Sequence, residues 1–349
     1  MKKAKKITIF VAIGMVVLGV GMAFVAMAAG GFDINKIIQT TTYTERVFDL
    51  PEDYSDISLQ IRSQNLEILK SEDNVTHFIC YEADDEIFTA EIKDDTLVVE
   101  NKEKETKGLH FVLGGTIESA RLYLPKEQYE SLNIRVSSGG MKFSSAFTFE
   151  DVDIDLGSGA IDVSKITAED INAHTDSGSL TLADVKAKSA SFDTGSGAIK
   201  ANNTDIDTML DLHTSSGSIT CDSVTCDNAK MKTGSGKIEL VNTDCGTNLE
   251  IHTSSGSIIL NDVVAQADFN AKTGSGKIEL TSCDGANMDL HTGSGSIKGS
   301  LKTPKMFEAK SGSGSVDVPG DDPNGGKCLI KTGSGSIDIT IIPQIETEQ

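Results

Sequence analysis

Tryptophan is absent, proline takes only 6 of 349 positions and aromatic residues make up 5% of the chain. So little proline beside 33 glycines excludes collagen and a proline-rich linker protein. Basic residues are also scarce, with 31 Lys and Arg against 52 Asp and Glu and a net charge of −21. Neutralising a phosphate backbone needs a basic surface, so the balance argues against general nucleic-acid binding. A hydrophobic content of 38% is still enough to fold. Long uncharged apolar runs are missing, with one exception.

That exception runs from Ile7 to Gly31 and follows Lys2, Lys3, Lys5 and Lys6. About 20 apolar residues cross a hydrocarbon core as a helix, so residues 7–29 are the expected membrane contact. Four lysines before the span, and Asp33, Glu45 and Asp49 after it, place the start in the cytoplasm and the body outside. The expected localisation is the cell membrane, single-pass, with an extracytoplasmic body. Removing the four lysine charges from −21 leaves −25, which suits a soluble surface domain. Ala26-Met27-Ala28 also offers a signal-peptidase site, and cleavage near Ala28 would instead secrete the body. The length of the apolar stretch favours retention.

What the chain does hold is a repeat. A Ser-Gly pair recurs eleven times, with its glycines at 139, 159, 178, 197, 217, 236, 256, 276, 295, 314 and 335, spaced by 19 to 21 residues. Two places after the glycine stands an aliphatic residue, as in Leu180, Ile199, Ile219 and Ile238, and four places after it the residue is usually apolar. Five and seven places before it the residues are apolar again, as in Leu210 with Leu212 or Met288 with Leu290. Alternation marks one face of a strand, so each repeat reads as two short strands flanking a Gly-Ser corner. Positive φ is the expected reason for glycine there.

A unit of this size cannot bury a core alone, but stacked units share one. The predicted fold is all-β: a single-chain parallel β-solenoid of ~20-residue coils, spaced ~4.8 Å apart, with an irregular N-terminal cap and one N-terminal transmembrane helix. The expected segments are 1–31 for cytoplasmic lysines and signal-anchor, 32–42 for a linker, 43–136 for cap and degenerate coils, 137–342 for the repeat solenoid and 343–349 for a tail. Asn101 to Lys107 is charged and reads as a loop. Pro343, Glu346 and Glu348 make the tail read as protection of an open edge. Thr175, Thr194, Thr214, Thr233, Thr253, Thr273, Thr292, Ser311 and Thr332 stand three places before their glycines, as a structural ladder of hydroxyls.

Tyr123-Leu124-Pro125, then Leu132-Asn133-Ile134-Arg135-Val136-Ser137-Ser138-Gly139-Gly140 and serial Gly-Ser-Gly-x-Ile units complete a further pattern. It resembles the bacterial candidate-adhesin domain of unknown function, the LiaG-like group of Gram-positive envelope proteins, over roughly Tyr43 to Ile342. The resemblance implies a β-helical surface domain behind a membrane anchor, often encoded beside envelope-stress or regulatory genes. It brings no catalytic residues.

Four places before alternate glycines stand His174, His213, His252 and His291, 39 residues apart each time. Asp193, Lys232, Lys272 and Lys310 hold that place in copies between them, with Lys331 in the last. The place has opposite parity to the core positions, so these side chains should face water. His174, His213, Lys232, His252, Lys272, His291 and Lys310 are therefore the candidate exposed binding stripe. Coils of about 20 residues put the histidines roughly 9.6 Å apart, too far to share a metal ion, whereas coils of 39 residues would stack them. Both coil lengths stay open at this point, and duplication of a two-coil unit explains the period without metal.

Cys226 and Cys245 stand nine places after their glycines, within reach of a disulfide if their coils are neighbours. Isolated buried thiols are the other reading of all six cysteines. The calcium-binding nonapeptide is absent, and Ser-Gly-Ser-Gly corners lack the lysine and helix of a phosphate-binding turn. No catalytic residue, metal or cofactor is assigned.

The sequence thus points to a membrane-anchored adhesin or envelope-associated binding protein that meets a cell-wall polymer or surface protein without catalysis. An envelope-stress or signalling accessory, or an assembly role, is the alternative. A polysaccharide-processing β-helix enzyme ranks below both, because near-constant repeat lengths leave little chain for a cleft. Oligomeric state and ligand are left open.

Overall fold

A computed structural model describes residues 43–83, 85–104 and 118–342. The expected anchor, linker and tail (1–31, 32–42 and 343–349) lie outside the described residues, as do Ala28 and residues 105–107. Among the described residues every regular element is a strand, and no helix is long and apolar enough to cross a membrane.

The first seven strands are β1 (Thr44–Leu50), β2 (Asp56–Ile61), β3 (Leu66–Lys70), β4 (Thr76–Glu82), β5 (Glu86–Lys93), β6 (Thr96–Glu103) and β7 (Ala120–Leu124). Then come β8 (Gln128–Ser138), β9 (Met141–Phe143), β10 (Phe147–Ser158), β11 (Ile161–Ser164) and β12 (Ile166–Thr175). The longest strands follow: β13 (Leu180–Thr194), β14 (Ile199–Thr214), β15 (Ile219–Thr233), β16 (Ile238–Thr253), β17 (Ile258–Thr273) and β18 (Ile278–Thr292). The last are β19 (Ile297–Leu301), β20 (Lys305–Ser311), β21 (Val316–Asp317), β22 (Gly326–Thr332) and β23 (Ile337–Ile341).

From β8 onward every pairing is parallel, and each residue meets its counterpart 19 or 20 positions on through the regular coils, as in Leu180 with Ile199 and Ile199 with Ile219. One coil is therefore about 20 residues, and the parallel β-solenoid stands. The two-strand repeat needs correction, because each long strand bends at a second corner and supplies a third side. The corner residues Asp184, Asn203, Ser223, Asn242, Asp262 and Ser282 hold φ between 47° and 57°. Asn and Asp tolerate this left-handed region better than other side chains. After the bend, Val185 and Ala187, or Val224 and Cys226, turn inward again and are buried. Alternation therefore continues around all three sides and fills one apolar column.

The reason for glycine at the Ser-Gly corner also differs. Only Gly139 (φ 138°) and Gly159 (φ 133°) among the corner glycines take positive φ. At later corners the coils approach too closely for a side chain: a Cβ on Gly236 would lie 1.8 Å from the Gly217 carbonyl oxygen. Threonine closes the same corner. Thr233 Oγ1 donates to Gly217 O in the preceding coil at 2.7 Å and accepts from Gly236 N–H at 3.1 Å. The same pair of bonds recurs from Thr175 to Thr332, with Ser311 serving in its copy. The hydroxyl ladder thus bonds to backbone between coils.

At both ends the chain doubles back. The β2–β3 coil lies between β8–β9 and the strands β6 and β7, although it precedes all four in sequence. Antiparallel β5, β4 and β1 then finish the cap. At the other end β22 and β23 slide between β18–β19 and β20–β21. The open edge at this end is formed by β20 and β21. One expectation changes. Asn101 to Glu103 belongs to β6, and Asn101 is buried.

Candidate functional site

Inward threonines fix the direction of their neighbours. With Thr175, Thr194 and Thr214 buried, the residue just before each projects to the outer surface. Register then orders these residues into one ladder: Asp155, His174, Asp193, His213, Lys232, His252, Lys272, His291, Lys331 and Lys310. All seven stripe residues lie on it, with Asp193 interposed between His174 and His213. Lys331 stands between His291 and Lys310, an order the linear sequence hides because β22 is inserted there.

The 20-residue coil resolves the histidine spacing. Each histidine is separated from the next by a rung of Asp or Lys, so two histidines lie roughly 9.6 Å apart and cannot ligate one ion. Among the described residues no group of three His, Cys, Asp or Glu side chains is placed to hold a metal ion.

The ladder changes character along its length. Asp193 sits between two histidines, 2.9 Å from His174 Nδ1 and 3.8 Å from His213 Nε2. Asp176, at the corner, adds a contact of 3.4 Å to His174 Nε2. A shallow groove of about 290 Å³ opens beside His213, lined by Asp193, Asp211, Lys230 and Lys232. Further along, Lys272 Nζ meets Asp289 at 2.6 Å. These partly exposed pairs each add at most about 1 kcal/mol to stability and leave the side chains open to competition by a ligand.

Cys226 and Cys245 are register partners on adjacent coils with their sulfurs 3.4 Å apart, both free and buried. The Cys245 thiol is pushed up by its hydrogen bond with Cys226 and by burial. Cys221, Cys283, Cys328 and Cys80 are buried too, and desolvation raises the thiols of Cys283 to about 11 and of Cys328 and Cys80 to about 12. Such thiols stay protonated and unreactive.

The acidic members of the ladder, Asp155 and Asp193, are the part the stripe omitted. Their position relative to the corner glycine was the available signal. Their ion pairing emerges only from the distances.

The profile of the Toastrack DUF4097 family matches residues 54–258 and 208–343. No curated protein matches the sequence. A candidate adhesin from Bacteroides fragilis is similar in structure at 15% identity and a TM-score of 0.39, covering 86% of this chain and 100% of its own. One from Parabacteroides merdae shares 11% identity at a TM-score of 0.37, over 86% of this chain and 96% of that one. A candidate lipid-binding protein from Parabacteroides distasonis shares 17% identity at 0.36, over 86% and 97%.

Proposed function

The chain belongs to the Toastrack DUF4097 family, and we propose that it is a non-enzymatic binding protein of the cell envelope, held at the membrane by residues 7–29 with its solenoid outside the cytoplasm. One observation carries the reading: a continuous outward ladder of ionic side chains repeated at the ~4.8 Å strand spacing. A repeated ligand, such as a cell-wall polymer, can engage such a ladder at many rungs at once, so weak contacts accumulate into avidity. The lysines before the apolar stretch and the acids after it support the tether and its orientation.

Two experiments test this. Purified full chain is mixed with isolated cell wall and sedimented, beside a variant with His213, His252 and His291 changed to alanine. Retention of the native chain and weaker retention of the variant are expected, and no retention of either overturns the binding reading. Fractionation of cells tests the tether: the full-length chain in the membrane fraction supports it, and a mature chain beginning just after Ala28 in the medium replaces it with secretion.

An assembly or signalling accessory is the second reading, favoured by the ends of the stack. Val47 and Ile87 on β1 and β5, and Met306 and Val316 on β20 and β21, are the large apolar side chains most exposed among the described residues. All four stand on edge strands paired on one side only, whose open side can pair with another chain.

A further inference from the structure

Charge is distributed unevenly along the ladder. Its early rungs are compensated, with Asp155 and Asp193 interleaved among the histidines and Asp176 beside His174. From Lys232 the next six rungs, through His252, Lys272, His291 and Lys331 to Lys310, carry no acid. Only Lys272 is ion-paired among these six, to Asp289.

Two features of the fold produce this run. Insertion of β22 between β18 and β20 brings Lys331 into the ladder beside Lys310, so two lysine-bearing coils close the series after Lys272 and His291. The corner flanking these rungs is built from Gly and Ser alone, as in Gly234-Ser235, Ser254-Ser255 and Gly293-Ser294, where His174 has Asp176. Like charges directly opposite one another on paired strands are destabilising. Five intervals at ~4.8 Å hold the four lysines and two histidines within about 24 Å, so repulsion among the lysines is relieved by an anion laid along them.

We infer that the rungs from Lys232 to Lys310 form a binding track for a linear polyanion bearing phosphate or carboxylate groups, running across the coils beside the Ser-Gly corner. Ammonium groups supply the charge, and corner serines supply neutral donors to the same oxygens. On the far side of the track, two residues back along the strand, Glu250, Asp289 and Glu308 flank His252, His291 and Lys310, while Lys230 holds that place beside Lys232. A broad polyanion such as a nucleic-acid duplex meets those acids and is repelled, whereas a thin chain fits between them and the corner. The inference rests on the binding reading above and narrows it to one half of the ladder and one class of partner.

The test measures binding of the full chain, in a neutral detergent, to long-chain inorganic polyphosphate, polyglutamate and neutral dextran by interferometry. Two variants run beside it: Lys232→Gln, Lys272→Gln, Lys331→Gln and Lys310→Gln together, and His174→Gln with His213→Gln. The lysines near the amino terminus are present throughout and cancel. At least tenfold loss in the lysine variant and less than about twofold change in the histidine variant are expected, with dextran unbound. Four phosphate contacts would weaken polyphosphate binding roughly 50-fold between about 50 and about 200 mM salt. Polyphosphate bound more tightly than polyglutamate, or the reverse, identifies the anionic group and supports the track in either case. Replacement of the four lysines by arginine restores binding if charge is the cause. Equal weakening in both variants, or none in the lysine variant with its circular dichroism unchanged, overturns the inference. Wall retention measured on the same samples separates the two readings: retention of the native chain without polyanion binding sinks the track alone, and absence of retention sinks the binding reading.

Discussion

The regular coils from Ile161 to Leu301 and the cap from Thr44 to Leu124 bury their cores by opposite means. Coils use a few short side chains again and again: Ile, Leu, Val, Ala and Thr occupy most inward places, and Phe192 and Phe269 are the only buried aromatics between Ile161 and Leu301. The cap uses large side chains once each. Phe78 packs between Phe48 and Phe88 at 6.2 and 5.8 Å, and Tyr54 stacks on Tyr129 at 5.7 Å, with Phe149 of the first coils beyond. A repeated contact ties stability to the backbone spacing between coils, whereas a single-use contact ties it to side-chain fit. The two regions should therefore fail differently when mutated.

The largest effect is expected where a coil cannot give way. Gly236→Ala directs a methyl group at the Gly217 carbonyl oxygen, and only separation of the coils relieves the overlap. Loss of more than about 4 kcal/mol, or failure to fold, is expected in denaturant unfolding. Gly320→Ala is the control, with nothing within 4 Å of the added Cβ, and should change stability by less than about 0.5 kcal/mol. Equal tolerance of both would show that coil spacing is softer than the contacts require.

Next comes Thr233→Val, which keeps shape and removes both the donor to Gly217 O and the acceptor for Gly236 N–H. Two part-buried backbone groups then lose a partner, for a cost of about 2 to 4 kcal/mol by the same measurement. Thr233→Ser keeps the hydroxyl and should recover most of it, as Ser311 already makes both bonds at 2.8 Å. In the cap the comparable change is Tyr54→Phe, which removes one bond of 2.6 Å to Thr76 Oγ1. A smaller loss of about 1 to 2 kcal/mol is expected, because a single neutral side-chain pair is broken. A cap loss equal to that at Thr233 would erase the proposed difference.

The contrast also explains what could be read from residues alone. Ile199, Ile219 and Ile238 announce the coils because each repeats the same physical demand at the same place. The outward ladder was legible for the same reason: parity relative to Thr194 and Thr214 fixes the direction of Asp193 and His213. The third side was missed because its inward residues vary, with Val185, Thr204, Val224 and Thr243 holding one place and Ala187, Ile206, Cys226 and Cys245 the other. Glycine's role at the corner was misread because close approach between coils leaves the same trace in sequence as positive φ. Both doubled-back ends were invisible, since insertion of β2–β3 and β22–β23 alters no spacing within a coil. Lys331 was consequently noted at the correct position but placed last, whereas it stands between His291 and Lys310.

The smallest effect belongs to an ionic contact in the cap. His77 Nδ1 lies 2.7 Å from Asp49, joining β4 to β1, and its Nε2 lies 3.0 Å from Asp73. The Asp49 hydrogen bond, with help from Asp73, raises the His77 imidazole above its ordinary value of 6.5. A raised histidine stabilises the folded state fully below the unfolded value and loses that contribution as pH rises through the folded one. The cap edge should therefore be held more firmly at pH 6 than at pH 8. Because these side chains are partly exposed and screened, the difference should stay below about 1 kcal/mol. Amide exchange along β1 at the two pH values, corrected for intrinsic rates, reads it directly, and His77→Gln should remove the pH dependence while leaving exchange in β14 to β17 unchanged. If those coils shifted with β1, the cap and the regular stack would be unfolding as one unit, and the separation between single-use and repeated contacts would not extend to their dynamics.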